Sequence, residues 1–425
     1  MSIDPYRRKY AYGEDYGTSY FKYGPIAEKP HVIENRGFII PKDSIMFKIV
    51  GISKEVVVGP EVAQYLGSRE DTTQYLIYPM RDGIVERDNE KAWKIIYEIT
   101  KFGFSQSMSA VGNDFKGFYV TAALSAIAPL YMYEKIFEIH RKIDEELGAI
   151  SAVTIIPQPL AVAISQKIVT CTVVESGHGN TQITPISRYP IRNAIVSLNR
   201  GGAEADAITA EILKDLGYGD LAGEEKLVRL FKEKMGLIPI DLNKAINFAK
   251  NNKDLLRDVF EIPGTLIKIE MNDNSWMRFL IGEIVFNPEH EVFESYYKRG
   301  MPRPKDTKIG DERIRGTTPL GQAIAISISK TSIELQQHLY QKIILSGGNF
   351  AWGVPEKLKQ VACDAAFKVR LQLKEILNID VNVSLTDDPL YSVWKGTIVY
   401  SVAVPDDYLW NWDRLEGWYK RGVHF

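Results

Sequence analysis

Apolar positions along the chain follow two rhythms, one helical and one of short buried runs. Between Pro129 and Leu147, Tyr133, Ile136, Phe137, His140 and Ile143 recur three and four apart, which puts them on one helix face. Pro129 opens that helix and Gly148 closes it. Ala152 to Ile156 reads as a strand, Leu160 to Ser165 as a helix, and Val169 to Glu175 as a second strand. Ala203 to Leu216 is a helix ended by Gly217, and Glu224 to Met235 is another. Thr318-Pro319 caps a helix expected to run to about Leu339. A strand from Lys342 to Leu345, the turn Ser346-Gly347-Gly348 and a helix opened by Pro355 follow. Strands alternating with helices predict an α/β layer fold. Pro41 to Ser53 and Arg299 to Thr318 have loop composition.

Inside this pattern lies a repeat. Asp15-Tyr16-Gly17-Thr18-Ser19 and Glu175-Ser176-Gly177-His178-Gly179 each follow an apolar or aromatic run, carry Gly two residues after the acid, and reach Pro-Ile, at Pro25-Ile26 and Pro185-Ile186. The offset is 160 residues at each position (15 and 175, 17 and 177, 25 and 185). Both segments read as strand, Gly-containing turn, strand. Glycine lets backbone N–H groups converge on an anion, and an acid beside it can hold a hydrated Mg2+. Two such hairpins facing each other are expected to grip a nucleotide polyphosphate. One copy of this motif is an ordinary hairpin turn; two at matched offset are far more specific. The rival reading is an aspartic protease dyad. It needs two matched Asp carboxylates, and here the second acid is Glu175 while Tyr16 follows the first.

Bulk properties narrow the class. The 425 residues carry 52 basic and 54 acidic side chains, so no overall basic field exists for nucleic acid or membranes. Cys171 and Cys363 have no metal-ligand spacing and read as buried thiols. Met1 to Tyr12 is polar and basic without an apolar core segment, and the uncharged stretch from Ala149 to Gln166 is interrupted by Pro157 and Pro159. A soluble cytoplasmic protein with no membrane span is expected. The loop Arg299 to Thr318 holds Arg299, Arg303, Lys305, Lys308, Arg313 and Arg315 against Asp306, Asp311 and Glu312. It reads as a solvated loop or, more sharply, as a partner contact.

Over nearly its whole length the chain resembles actin. The carriers are Asp15 to Lys22 with its lysine, Tyr78-Pro79-Met80-Arg81-Asp82-Gly83-Ile84-Val85, Arg278-Phe279 with Glu283 and Phe286-Asn287-Pro288, Leu345-Ser346-Gly347-Gly348, and Tyr391-Ser392-Val393-Trp394. Glu175 to Asn180 and Asn199-Arg200-Gly201-Gly202-Ala203-Glu204 resemble the archaeal crenactin branch. The resemblance implies an actin-like bilobed fold of two ribonuclease-H-like lobes, each with an inserted subdomain, binding ATP or ADP with Mg2+. It implies lobe I over 1–34, 79–165 and 392–425 with insert 35–78, and lobe II over 166–200 and 318–391 with insert 201–317.

Residue roles follow from the same resemblance. Asp15, with Glu175, organises hydrated Mg2+ through water. Gly17, Thr18, Ser19, Gly177, His178 and Gly179 face the phosphates, and Lys22 neutralises charge there. Gln158 positions the attacking water; without the resemblance it is a turn residue between two prolines. Lys232-Glu233 contacts adenosine; alone it reads as solvated helix surface. Gly202 and Glu204 border the ribose, and Gly347, Gly348, Asn349 and Trp352 border the adenine. Departures from the family pattern are Glu175 for Asp, His178 and Gln182 near the water, and Leu390 for a lysine.

The function this implies is a slow Mg2+-dependent ATPase that polymerises with itself into cytoskeletal filaments for cell shape, with accessory filament-binding proteins. A non-polymerising actin-related protein using ATP structurally in a complex is the alternative, and a small-molecule kinase the third reading. Only 31 residues follow Trp394, too few for an Hsp70 peptide-binding domain. Ile45, Met46 and Phe47 are expected to insert into a neighbouring subunit.

Overall fold

A computed structural model describes residues 4–42, 54–66, 74–256, 258–309 and 312–403. Ile45, Met46 and Phe47, with most of the loop Pro41 to Ser53, lie outside the described residues. The chain divides into one unit of Met1–Val169, Arg188–Arg192 and Tyr391–Phe425 and a second of Thr170–Ser187 and Asn193–Leu390.

The first unit is built on a sheet of β1 (Ala11–Tyr16), β2 (Tyr20–Pro25), β3 (His31–Glu34), β4 (Phe118–Leu124) and β5 (Ile150–Pro157), in the order β3-β2-β1-β4-β5. β1 pairs antiparallel with β2 and parallel with β4. All six residues of β1 are buried, as a central strand covered on both faces requires. Helices α1 (Glu90–Met108), α2 (Leu130–Leu147) and α3 (Gln158–Ser165) and the helix Ser392–Ala403 belong to this unit. α2 runs as its periodicity predicts, with Gly148 left-handed at its end. The helix Ser392–Ala403 lies so close to α3 that a Cβ at Gly396 would overlap the Ala161 carbonyl. A separate three-stranded sheet, Gly37–Ile39, Val56–Val58 and Leu76–Ile77, has its own small core of Phe38, Ile40, Val57 and Val62.

The second unit repeats the first sheet. β6 (Thr170–Ser176), β7 (Thr181–Ser187), β9 (Ile343–Ser346) and β10 (Val383–Leu385) run in the order β7-β6-β9-β10, and β8 (Val196–Leu198) pairs with β7 off that path. β6 is antiparallel to β7 and parallel to β9. Tyr12 faces Pro25, Asp15 faces Lys22 and Tyr16 faces Phe21; Thr172 faces Pro185, Glu175 faces Gln182 and Ser176 faces Thr181. The same offset that aligns the sequences therefore aligns the strand register. Helices α4 (Gly202–Asp215), α5 (Glu225–Met235), α6 (Leu320–Ser329), α7 (Ile333–Tyr340) and α8 (Ala365–Leu377) surround a large apolar core that includes Ile208, Phe231, Phe279, Ile324 and Leu345.

Two helix expectations are corrected. The stretch from Thr318 to Leu339 is two helices, because Ser332 takes an extended conformation at the start of α7 and breaks the helix after Ser329. Pro355 opens only one 3-10 turn, Glu356–Leu358; the long helix begins at Ala365, where the Asp364 carboxylate accepts the Phe367 N–H as an N-cap. Gln158 is the first residue of α3 rather than a turn residue. The basic loop contains a two-stranded ribbon, Thr307–Ile309 with Glu312–Ile314. Its arginines pair with local carboxylates: Arg299 with Asp215, Arg303 with Glu294, Arg313 with Asp306 and Arg315 with Glu289. Among the described residues no helix is long and apolar enough to cross a membrane.

His140 on α2 is fully buried, with Nε2 2.7 Å from the equally buried Glu14 carboxylate and Nδ1 2.7 Å from the Ile136 carbonyl. Both nitrogens face acceptors, which an imidazolium beside an ionised Glu14 satisfies. Burial alone would lower the imidazole pKa, but the Glu14 charge and hydrogen bond, with the Ile136 carbonyl, hold it above its ordinary 6.5. His140→Ala strands the Glu14 charge in the core and should cost about 3–5 kcal/mol in urea unfolding. A raised base pKa stabilises the fold fully below pH 6.5 and loses that contribution as pH rises through the folded value. The gap between wild type and variant should therefore narrow on raising the pH above neutrality.

Candidate functional site

The β1–β2 turn is closed by the Gly17 N–H, which donates to the Tyr20 carbonyl at 3.1 Å. The β6–β7 turn is closed the same way, by the Gly177 N–H on the Asn180 carbonyl at 3.0 Å. In each case an asparagine amide from elsewhere in the unit clamps the turn glycine. Asn35 donates to the Gly17 carbonyl at 2.8 Å, and Asn349 to the Gly177 carbonyl at 2.6 Å. The N–H groups of Thr18 and Ser19, and of His178 and Gly179, have no hydrogen-bond partner among the described residues. Each turn thus offers two adjacent donors in a glycine-shaped concavity, a donor set that fits phosphate oxygens. The Thr18 hydroxyl accepts the Gly83 N–H at 2.9 Å, which fastens the Tyr78 to Val85 segment to the first turn.

Beside the first turn, Asp15 is almost fully buried. Its Oδ2 receives Lys22 Nζ at 2.7 Å, from the residue directly opposite on β2. Its Oδ1 receives Gln158 Nε2 at 2.8 Å, and the same nitrogen reaches the Tyr16 carbonyl at 3.3 Å. Gln158 arrives there because β5 runs parallel to β4 and α3 begins at its end. Three residues singled out from sequence (Asp15, Lys22 and Gln158) therefore form one hydrogen-bonded chain. Among the described residues, no three His, Cys, Asp or Glu side chains gather to hold a bare metal ion. A lone buried carboxylate suits Mg2+ that keeps its own water shell.

In the second unit Glu175 occupies the position of Asp15, opposite Gln182 instead of a lysine. The turn is bonded to the start of α4, where the Gly202 and Ala203 N–H groups donate to the Gly177 and His178 carbonyls, each at 2.9 Å. Glu204 uses its carboxylate to accept the Gly201 N–H at 2.7 Å and so caps its own helix. Lys232 is buried rather than solvated, its ammonium 2.8 Å from Asp206. Glu233 is exposed, since adjacent helix positions point about 100° apart. Trp352 is buried and donates its indole N–H to the Lys232 carbonyl at 3.1 Å. Gly347 has φ +103°, and a Cβ there would overlap Ser176, so β9 approaches β6 closely only because this residue is glycine. Leu390 is half exposed and lies near Gly348.

His178 sits in a mixed field. Burial pushes its pKa down to about 4; Asp206 opposes the shift, and Arg229 and Lys232 reinforce it. It is neutral at pH 7, able to donate one hydrogen bond and accept another. Asp206 escaped the sequence reading: a single acid on an amphipathic helix carries no motif, and only the fold brings it to Lys232.

Residues 217–401 match the family model described as Actin. The chain is also similar to "Actin-related protein 2" of Schizosaccharomyces pombe, 22% identical over 363 residues, covering 84% of this chain and 82% of that protein. The fold is an actin-like α/β fold, with mixed sheets at the centre of both units. The family match begins after both turns, so the turns stand on their own geometry.

The two asparagine clamps give a paired test. Asn35→Ala and Asn349→Ala each remove a buried donor to a turn carbonyl and should each cost about 1–3 kcal/mol in thermal or denaturant unfolding. The larger cost is expected at Asn349, whose amide also donates to Ser176 Oγ at 3.0 Å. A neutral result for either would show that the turn glycine needs no clamp.

Proposed function

We propose that this actin-like chain is an actin-related protein that binds ATP with hydrated Mg2+ and hydrolyses it slowly. The observation that carries the reading is the duplicated turn: same register, same closing bond, and two free N–H groups on each copy. Bound Mg2+–ATP would supply the phosphoanhydride and the divalent charge. Thr18 and Ser19 on one turn, and His178 and Gly179 on the other, would donate to its phosphates. Lys22 would neutralise developing charge, and Asp15 would hold a water of the metal's shell. Gln158 commits its nitrogen to Asp15 and Tyr16, which leaves Oε1 as the acceptor that orients a water.

Within the actin-related class, our reading is that the chain works with other chains in a complex, in the cytoplasm. Segments 35–78 and 201–317 would be the inserted subdomains. Self-assembly into filaments, as in crenactins, is the second reading. One observation favours it: Leu266 is fully exposed and Ile267 half exposed on the loop joining the strands Val259–Glu261 and Lys268–Glu270. Two apolar side chains at a hairpin tip cost about 25 cal/mol per Å2 to leave in water, which a subunit contact would recover.

Calorimetry should find that Asp15→Asn loses affinity for Mg2+–ATP by more than it loses for metal-free ATP, because an amide attracts a hydrated divalent ion less. Gln158→Ala should keep ATP affinity within about twofold and slow hydrolysis by roughly a hundredfold or more, the lower end of the range for a positioned acid–base group. Equal losses in the first case, or a wild-type hydrolysis rate in the second, would remove the assigned role. Electron microscopy and sedimentation with and without ATP decide between the two assemblies. Replacing Leu266 and Ile267 with Ser should raise the pelleting concentration only if filaments form through that tip.

A further inference from the structure

Gly202, the first residue of α4, lies within a ring of polar groups. An ideal Cβ on it would stand 3.3 Å from His178 Nδ1, 3.3 Å from Lys232 Nζ and 3.4 Å from Asn349 Oδ1. The fourth member is Asp206, one helical turn further along α4. Its Oδ1 holds the Lys232 ammonium at 2.8 Å and its Oδ2 lies 3.7 Å from His178 Nδ1. Lys232 also reaches the Gly202 carbonyl at 3.4 Å. The lysine side chain is almost fully enclosed and the aspartate is one-fifth exposed, so this pair is built into the unit rather than formed on its surface.

Without Asp206 the lysine would present a bare cation beside the second turn, and a cation there would draw any phosphate group. With Asp206 the charge is cancelled in place. The ammonium keeps hydrogen-bond donors, the carboxylate keeps lone pairs, and the imidazole is uncharged. We propose that Asp206 is a positioning residue that fixes Lys232 and balances its charge, so that the polar cluster around Gly202 recognises the neutral hydroxyls of a nucleoside sugar and not a second anion. The inference rests on the nucleotide-binding reading above. It goes further in naming the group that sets sugar recognition. Arg229 and Glu225 on α5 also act on His178, with opposite signs.

The test compares ATP with 2′,3′-dideoxy-ATP, both with Mg2+, by calorimetry on the full chain. Wild type should bind ATP at least about tenfold more tightly, the value of one or two sugar hydrogen bonds. Asp206→Asn should reduce that ratio to about twofold, and Asp206→Glu should restore part of it. Lys232→Met removes the group that Asp206 holds and should lose the ratio equally, which keeps the test open if Asp206→Asn folds poorly. A purely structural role would lower both affinities together and leave the ratio in place. An unchanged ratio in Asp206→Asn or Lys232→Met, or no preference in wild type, overturns the inference. Failure of wild type to bind ATP at all would overturn the nucleotide reading instead.

Discussion

A single backbone hydrogen bond, made twice, underlies the arrangement. In each unit a turn glycine donates to the carbonyl three residues on, and this bond sets where β1 or β6 ends and its antiparallel partner begins. Once it forms, the acid before the glycine must face the residue seven further along. The next two N–H groups take no part in the ladder and have no partner among the described residues. The asparagine clamps secure the glycine from behind. Everything assigned to phosphate handling hangs on those two short turns.

The two turns share geometry and differ in charge. In the first, Asp15 is matched by Lys22 and capped by Gln158, so the acid is buried, oriented and balanced. In the second, Glu175 faces neutral Gln182, and the nearby cation Lys232 is balanced by Asp206 instead. The protease alternative fails at Asp15 itself, which carries a lysine on its carboxylate.

Legibility in the sequence followed from locality. The hairpins, α2 with its left-handed Gly148, and the paired sheets were readable because each depends on residues close in the chain or on a repeat at constant offset. The helix after Thr318 was over-extended because Ile, Leu and Ser continue a helical rhythm through Thr331-Ser332, where the backbone turns extended. Pro355 looks like a helix start and makes one turn, since the Asp364 cap nine residues later is the stronger signal. In the site, the resemblance alone singled out Lys22 and Gln158, and the fold brings both to Asp15. Asp206 was not legible, and neither was the Glu14–His140 pair, because partners 26 and 126 positions apart announce themselves only after folding.

The route of the chain has a further consequence. The helix Ser392–Ala403 completes the first unit: Ser401 bonds Thr121 at 2.6 Å, and Arg7 reaches the Val402 carbonyl at 3.0 Å across 395 positions. The second unit is contained almost wholly between those partners. During synthesis, then, the second unit can close its core while the first still lacks its last helix. The earliest residues to leave the ribosome must wait longest for their packing partner. Loop closure over such a span carries a large but slowly growing entropic cost. A nascent first unit therefore keeps the surface that Ser392–Ala403 covers exposed until the end of that helix has been made.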